Sequence, residues 1–185
     1  MSVDVGLLIL RVVVGLLLLG HGAQKLFGWF GGFGLQGTAG WFASMGLRPA
    51  PFWTFMAGIA EFGGGMLLAL GLLNPLGPLG ITASMFMAIV MVHWPKIWST
   101  EGGLEYPLVN IAAVIAVALA GSGLYSLDAS LGIGLPMPGT LIVGLLAIVV
   151  GSAIAMGTRA QVAQPAQQPA QAAAETEEVE ERRAA

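Results

Sequence analysis

The feature that most limits what this chain can fold into is the length of its apolar runs. Crossing a hydrocarbon core of roughly 30 Å takes about 20 mostly apolar helical residues. Runs of about that size occupy Val5 to Phe27, Pro51 to Leu73, Leu76 to Trp94 and Met137 to Met156, with a shorter one from Tyr106 to Ala120. Within lipid every backbone N–H and C=O needs a partner, and a single run can provide that only as a helix. Barrel strands would alternate polar and apolar residues, and these segments do not. The expected fold is therefore an all-α membrane protein, a four-helix transmembrane bundle followed by a fifth C-terminal transmembrane helix. Composition agrees, since 56% of the 185 residues are hydrophobic and only 9% are charged, against about a quarter charged in soluble domains.

Punctuation between the runs sets the organisation. Two prolines in Leu73-Asn-Pro-Leu-Gly-Pro78 end one helix and begin the next. Gly121-Ser-Gly123 stops the fourth run, and Leu135-Pro-Met-Pro138 precedes the fifth. Residues 28 to 50 are glycine-rich and too long for a tight turn; Trp41, Phe42 and Met45 either share a face of an interfacial helix or lie in an ordered loop. After Met156 the composition turns to Ala, Gln, Pro and Glu. Such a segment buries too little apolar surface to order itself. The expected domains are thus a bundle over 1–128, an added transmembrane helix over 129–157 and a disordered acidic tail over 158–185. Met1-Ser-Val-Asp4 carries no basic segment, so the first run reads as a retained span.

Charge and cysteine content exclude several functions. With no cysteine there is no disulfide, thiolate metal site or dithiol relay in this chain. A net charge of −3 gives nucleic acid no support as a partner. Lys25, Arg48, Lys96 and Arg159 all fall on one side of the predicted bundle, which the positive-inside rule assigns to the cytoplasm, leaving the N-terminus outside.

Two charges lie within the spans, Arg11 in the first and Glu61 in the second. An unpaired charge at the bilayer centre costs at least ~2.5–3.5 kcal/mol. Their opposite signs on antiparallel neighbours predict an intramembrane ion pair, read either as a structural pair that fixes the bundle or as a proton or substrate site. Gly15, Gly22, Gly58, Gly64 and Gly65 would let the two helices approach closely. A second grouping forms where the first and third spans end on the same face. It contains His21, Gln24, Lys25, His93 and Lys96, with Glu105, Tyr106 and Asn110 from the start of the fourth. All five tryptophans fall at that face, so it is a candidate interfacial pocket as well as an aromatic belt. Two histidines without ligand spacing do not make a metal site, and no metal is expected.

The ordered set of motifs resembles the DoxX family of small prokaryotic membrane proteins. Leu10-Arg11 with Gly15 comes first, then His21-Gly-Ala-Gln-Lys25-Leu-Phe-Gly28. Gly58-Ile-Ala-Glu61 with Gly64-Gly65, His93, and Gly102-Gly-Leu-Glu105-Tyr106 with Asn110 follow. Gly121-Ser-Gly-Leu-Tyr-Ser-Leu-Asp128 closes the set. The resemblance implies a four-helix bundle in the prokaryotic plasma membrane. It also implies an accessory role in quinone-linked redox complexes, in sulfur oxidation or redox defence. A quinone is the one cofactor it admits, and membrane lipid, protein partners or further copies of the chain are the partners. The other reading is a non-enzymatic scaffold or carrier of a small hydrophobic molecule. The fifth span and the tail depart from the family pattern.

Overall fold

The computed structural model describes residues 2–159. All but the first two residues of the expected acidic tail lie outside the described residues. Among the described residues there are seven α-helices: α1 (Ser2–Phe27), α2 (Gly34–Ser44), α3 (Ala50–Leu70), α4 (Leu76–Ala88), α5 (Glu105–Ala120), α6 (Leu127–Leu131) and α7 (Gly139–Gly157). No strand occurs among the described residues. Four helical segments have the length and composition to cross a bilayer: α1, α3, α7, and α4 together with its π-helical extension to His93. The chain is an all-α, multi-pass membrane protein, and the apolar surfaces of these helices contact lipid. The fourth bundle helix, α5, is equally apolar but has only 16 residues. At 1.5 Å per residue it spans about 24 Å, and the connector from Trp94 to Leu104 leads into it. That connector pairs with itself, Leu104 N–H to the Lys96 carbonyl and Glu105 N–H to the Ile97 carbonyl, both at 3.0 Å.

Helix α1 packs along α3, α3 on α4, and α4 on α5, with α1 touching α5 more lightly. The core of the four consists of Leu18, Leu68, Ile81, Met85, Val114 and Val117. Helix α7 is added outside, through Leu141 and Ile148 on Leu79 and Ala118. Lipid offers no hydrophobic drive to bring helices together, so close backbone approach does the work. A Cβ on Gly15 would lie 2.7 Å from both the Ala69 nitrogen and the Gly65 oxygen. One on Gly64 would lie 3.0 Å from the Gly77 oxygen, and one on Gly77 would lie 2.8 Å from the Gly64 oxygen. Glycine stripes thus draw α1 to α3 and α3 to α4.

The 28–50 segment does contain a helix, α2. Trp41 faces outward while Phe42 and Met45 are half-buried. Helix α6 sits in the 121–136 loop and was not signalled by periodicity, since five residues cannot show a 3.6-residue repeat. Ser126 caps it, accepting from the Ala129 N–H at 3.1 Å.

Candidate functional site

Two polar centres lie along the α1–α3 seam, one near each end. The register between the helices decides which charges meet. Gly15 faces Gly65 and Ala69, Gly22 faces Phe62, and Gly58 faces Leu26. Glu61 therefore stands opposite the turn that ends at Lys25, and Arg11 stands opposite Gly71. Lys25 and Arg11 are fourteen residues apart, about 21 Å along the helix.

The predicted Arg11–Glu61 pair is not what forms. Glu61, buried within α3, is bonded through Oε2 to Lys25 Nζ, and its Oε1 accepts from Ser84 Oγ at 2.6 Å. The physical reason is depth. Arg11 lies level with the end of α3 and not at mid-bundle, whereas Lys25 reaches back from the last turn of α1. A cation in that turn also meets the negative end of the helix dipole. Ser84 gave no sequence signal, because one serine in an apolar helix ordinarily returns its hydroxyl to its own backbone.

Arg11 is 1% exposed and donates from Nη2 to the Tyr125 carbonyl at 2.6 Å. It packs against Gly71, whose φ of +62° closes α3. The closure is a Schellman arrangement, Gly71 N–H to the Leu68 carbonyl and Leu72 N–H to the Leu67 carbonyl. Asp128 is the carboxylate whose charge reaches Arg11. It also ties the turn to the loop, accepting from Leu73 N–H at 2.7 Å, Asn74 N–H at 3.0 Å and Ser122 Oγ at 3.0 Å. This end of the molecule is a structural clasp that joins α1, the α3–α4 turn and the 121–136 loop. An open groove of about 380 Å³ beside it is lined by Ser122, Ser126, Asp128 and Ile133, among others.

At the other end the candidate pocket residues separate into two sets. Lys25 is bonded to Glu61, and His21 and Asn110 both contact Tyr106. The His21 and Tyr106 rings lie 6.0 Å apart across the α1–α5 seam, tilted by 57°. Both rings are exposed, while Asn110 is buried and donates to the Tyr106 carbonyl at 2.9 Å. The remaining residues do not join them. Gln24 donates to the Phe30 carbonyl at 3.3 Å, His93 meets the Gly102 carbonyl through Nδ1 at 2.7 Å, and Lys96 is exposed on the connector. Glu105 starts α5, where its charge suits the helix dipole. Tryptophans occupy this end as expected, but they point outward: Trp94 is 70% exposed, Trp98 63% and Trp29 54%. They form a rim and not the wall of a cavity. No group of three or more metal-ligating side chains occurs among the described residues.

Residues 6–94 match the sequence model of the DoxX family. These residues form a DoxX-family domain. The match covers α1 to the end of the third span, and so includes Arg11, His21, Lys25, Glu61, Ser84 and His93. Helix α5, with Tyr106 and Asn110, lies beyond the DoxX match, as do α6 and α7. No curated protein and no solved structure matches the chain.

Proposed function

We propose that the chain is an accessory membrane subunit of a quinone-linked redox complex, in sulfur oxidation or redox defence, and that a quinone head docks at the α1–α5 seam. The observation that carries this reading is the His21–Tyr106 ring pair. Both rings are exposed on apolar helices, where a lipophilic ring can reach them. Lys25 and His21 supply N–H donors to ring carbonyls, and Tyr106 supplies an O–H donor. The bundle over 1–128 carries the site, and the helix over 129–157 adds lipid-facing surface for partner proteins or a second copy. The positive-inside rule puts the tryptophan-rich end in the cytoplasm of a prokaryotic plasma membrane, with the N-terminus outside.

Titration of the purified protein in detergent with a short-chain quinone tests the site. Saturable quenching of tryptophan fluorescence is expected, weakened by His21→Ala and by Tyr106→Phe. Linear quenching, equal in all three proteins, removes the site. The second reading, a scaffold or a carrier of a small hydrophobic molecule, draws on the outward tryptophans, which suit anchoring or docking against a partner.

A further inference from the structure

The buried carboxylate behind the ring pair has a role that ring binding alone does not use. Glu61 is 2% exposed, and both of its oxygens are engaged. Its counter-ion Lys25 is the partly exposed member, with a side-chain exposure of 22%. As an ion pair the centre has no net charge, and Lys25 has only one of its three N–H donors engaged on Glu61. A second net charge at this depth is costly. An anionic ligand can therefore approach Lys25 only if the carboxylate gives up its charge.

We propose that the centre binds the head of a lipophilic organic anion, a carboxylate or phenolate on an apolar body, together with one proton. The proton adds to Glu61 Oε2, giving a carboxylic acid that keeps its bond to Ser84. Lys25 Nζ, still an ammonium, turns from Glu61 to the incoming anion. Charge balances: one anion and one proton enter, and the centre stays neutral before and after. Ligand contact falls to Lys25 and His21, with the Tyr106 ring alongside, and Glu61 acts as the proton acceptor. Ser84 is a positioning residue that holds the carboxyl in both states. The groups facing Glu61 are Lys25 from α1, Ser84 from α4 and Tyr106, whose hydroxyl feels the Glu61 charge, from α5; His21 lies across the seam from Tyr106. His21 is the other ionisable ring at this seam, so the test separates it from Glu61. The inference rests on reading this centre as a ligand site, but not on the ligand's being a quinone.

The probe is 2-naphthoate, a carboxylate that stays ionised from about pH 6 to 8. Wild-type protein in detergent should bind it about tenfold more tightly for each unit of falling pH. Calorimetry in buffers of different ionisation enthalpy should report about one proton taken up per ligand bound, a readout that needs no variant. Glu61→Gln leaves Lys25 uncompensated, so it should bind tightly at every pH with no proton uptake. His21→Gln should keep the wild-type slope. Binding in the wild type without proton uptake, or a slope that survives Glu61→Gln, overturns the proposal. A short-chain quinone is titrated in parallel. Quinone binding with no naphthoate binding at any pH overturns this inference and leaves the quinone reading standing. Proton-linked naphthoate binding with no quinone binding does the reverse.

Discussion

Gly15 and Gly20 lie on the same helix five residues apart, and the same substitution should act on them with opposite signs. In a helix interior, alanine is favoured over glycine by roughly 0.5–1 kcal/mol. At Gly20 nothing lies within 4 Å of the added Cβ, so that preference should appear undiminished as a gain in stability. At Gly15 the new methyl would sit 2.7 Å from the Ala69 nitrogen and the Gly65 oxygen, both backbone atoms that no rotamer change can move. Carbon contacts settle at about 3.5–4.0 Å, so α1 and α3 would have to part by about 1 Å, which forfeits a quarter to a half of the attraction along the seam. Overpacking of this kind costs about 1–3 kcal/mol. Net of the helix preference, Gly15→Ala should destabilise by about 1–2 kcal/mol, while Gly20→Ala should stabilise by up to about 1 kcal/mol. Reversible unfolding in mixed micelles, followed by circular dichroism, measures both. If Gly15→Ala unfolds at or above the wild-type midpoint, the glycine seam is not what holds α1 to α3.

Asp128→Ala removes the acceptor of two backbone N–H groups and one hydroxyl. At ~1.5–3 kcal/mol for a hydrogen bond to a charged group, it should loosen the 121–136 loop and raise its protease sensitivity; unchanged cleavage would refute the clasp. Gly71→Ala combines a φ of +62° with overlap of the Arg11 guanidinium. It should therefore lower folded yield more than Gly20→Ala raises it, as read by size-exclusion chromatography. Single cysteines at Asp128 and Arg48 can be labelled in whole cells with an impermeant thiol reagent, free of native background because the chain has no cysteine. Position 128 should label and position 48 should be protected, and the opposite pattern would invert the proposed orientation.

Much of the architecture could be read from run lengths, because lipid leaves a 20-residue apolar segment almost no choice but helix. The turns at Pro75 and Gly121 were legible for the same local reasons. What could not be read was register. Arg11 and Glu61 have complementary charges and glycine neighbours, but whether they meet depends on how far α1 slides along α3. That is fixed by contacts such as Gly15 on Gly65 and Gly22 on Phe62, which no single helix reveals. The same ignorance concealed Ser84, a residue of ordinary type made notable only by the carboxylate opposite. It also let His93 and Lys96 be grouped with His21, although the π-turn and the connector carry them to other partners. Asp128 was visible only as part of a motif, since its three partners come from the α3–α4 turn and from its own loop.

The central claim is that Glu61 belongs to Lys25, at the tryptophan-rich end, and not to Arg11. A pair of double-mutant cycles on unfolding stability tests it directly, using Lys25→Met, Arg11→Met and Glu61→Gln singly and combined. Contacting charges couple by about 0.5–3 kcal/mol, whereas sites more than 7–10 Å apart add within about 0.3–0.5 kcal/mol. The account predicts strong coupling between Lys25 and Glu61, and additivity between Arg11 and Glu61. Additivity in the first cycle with coupling in the second would contradict it.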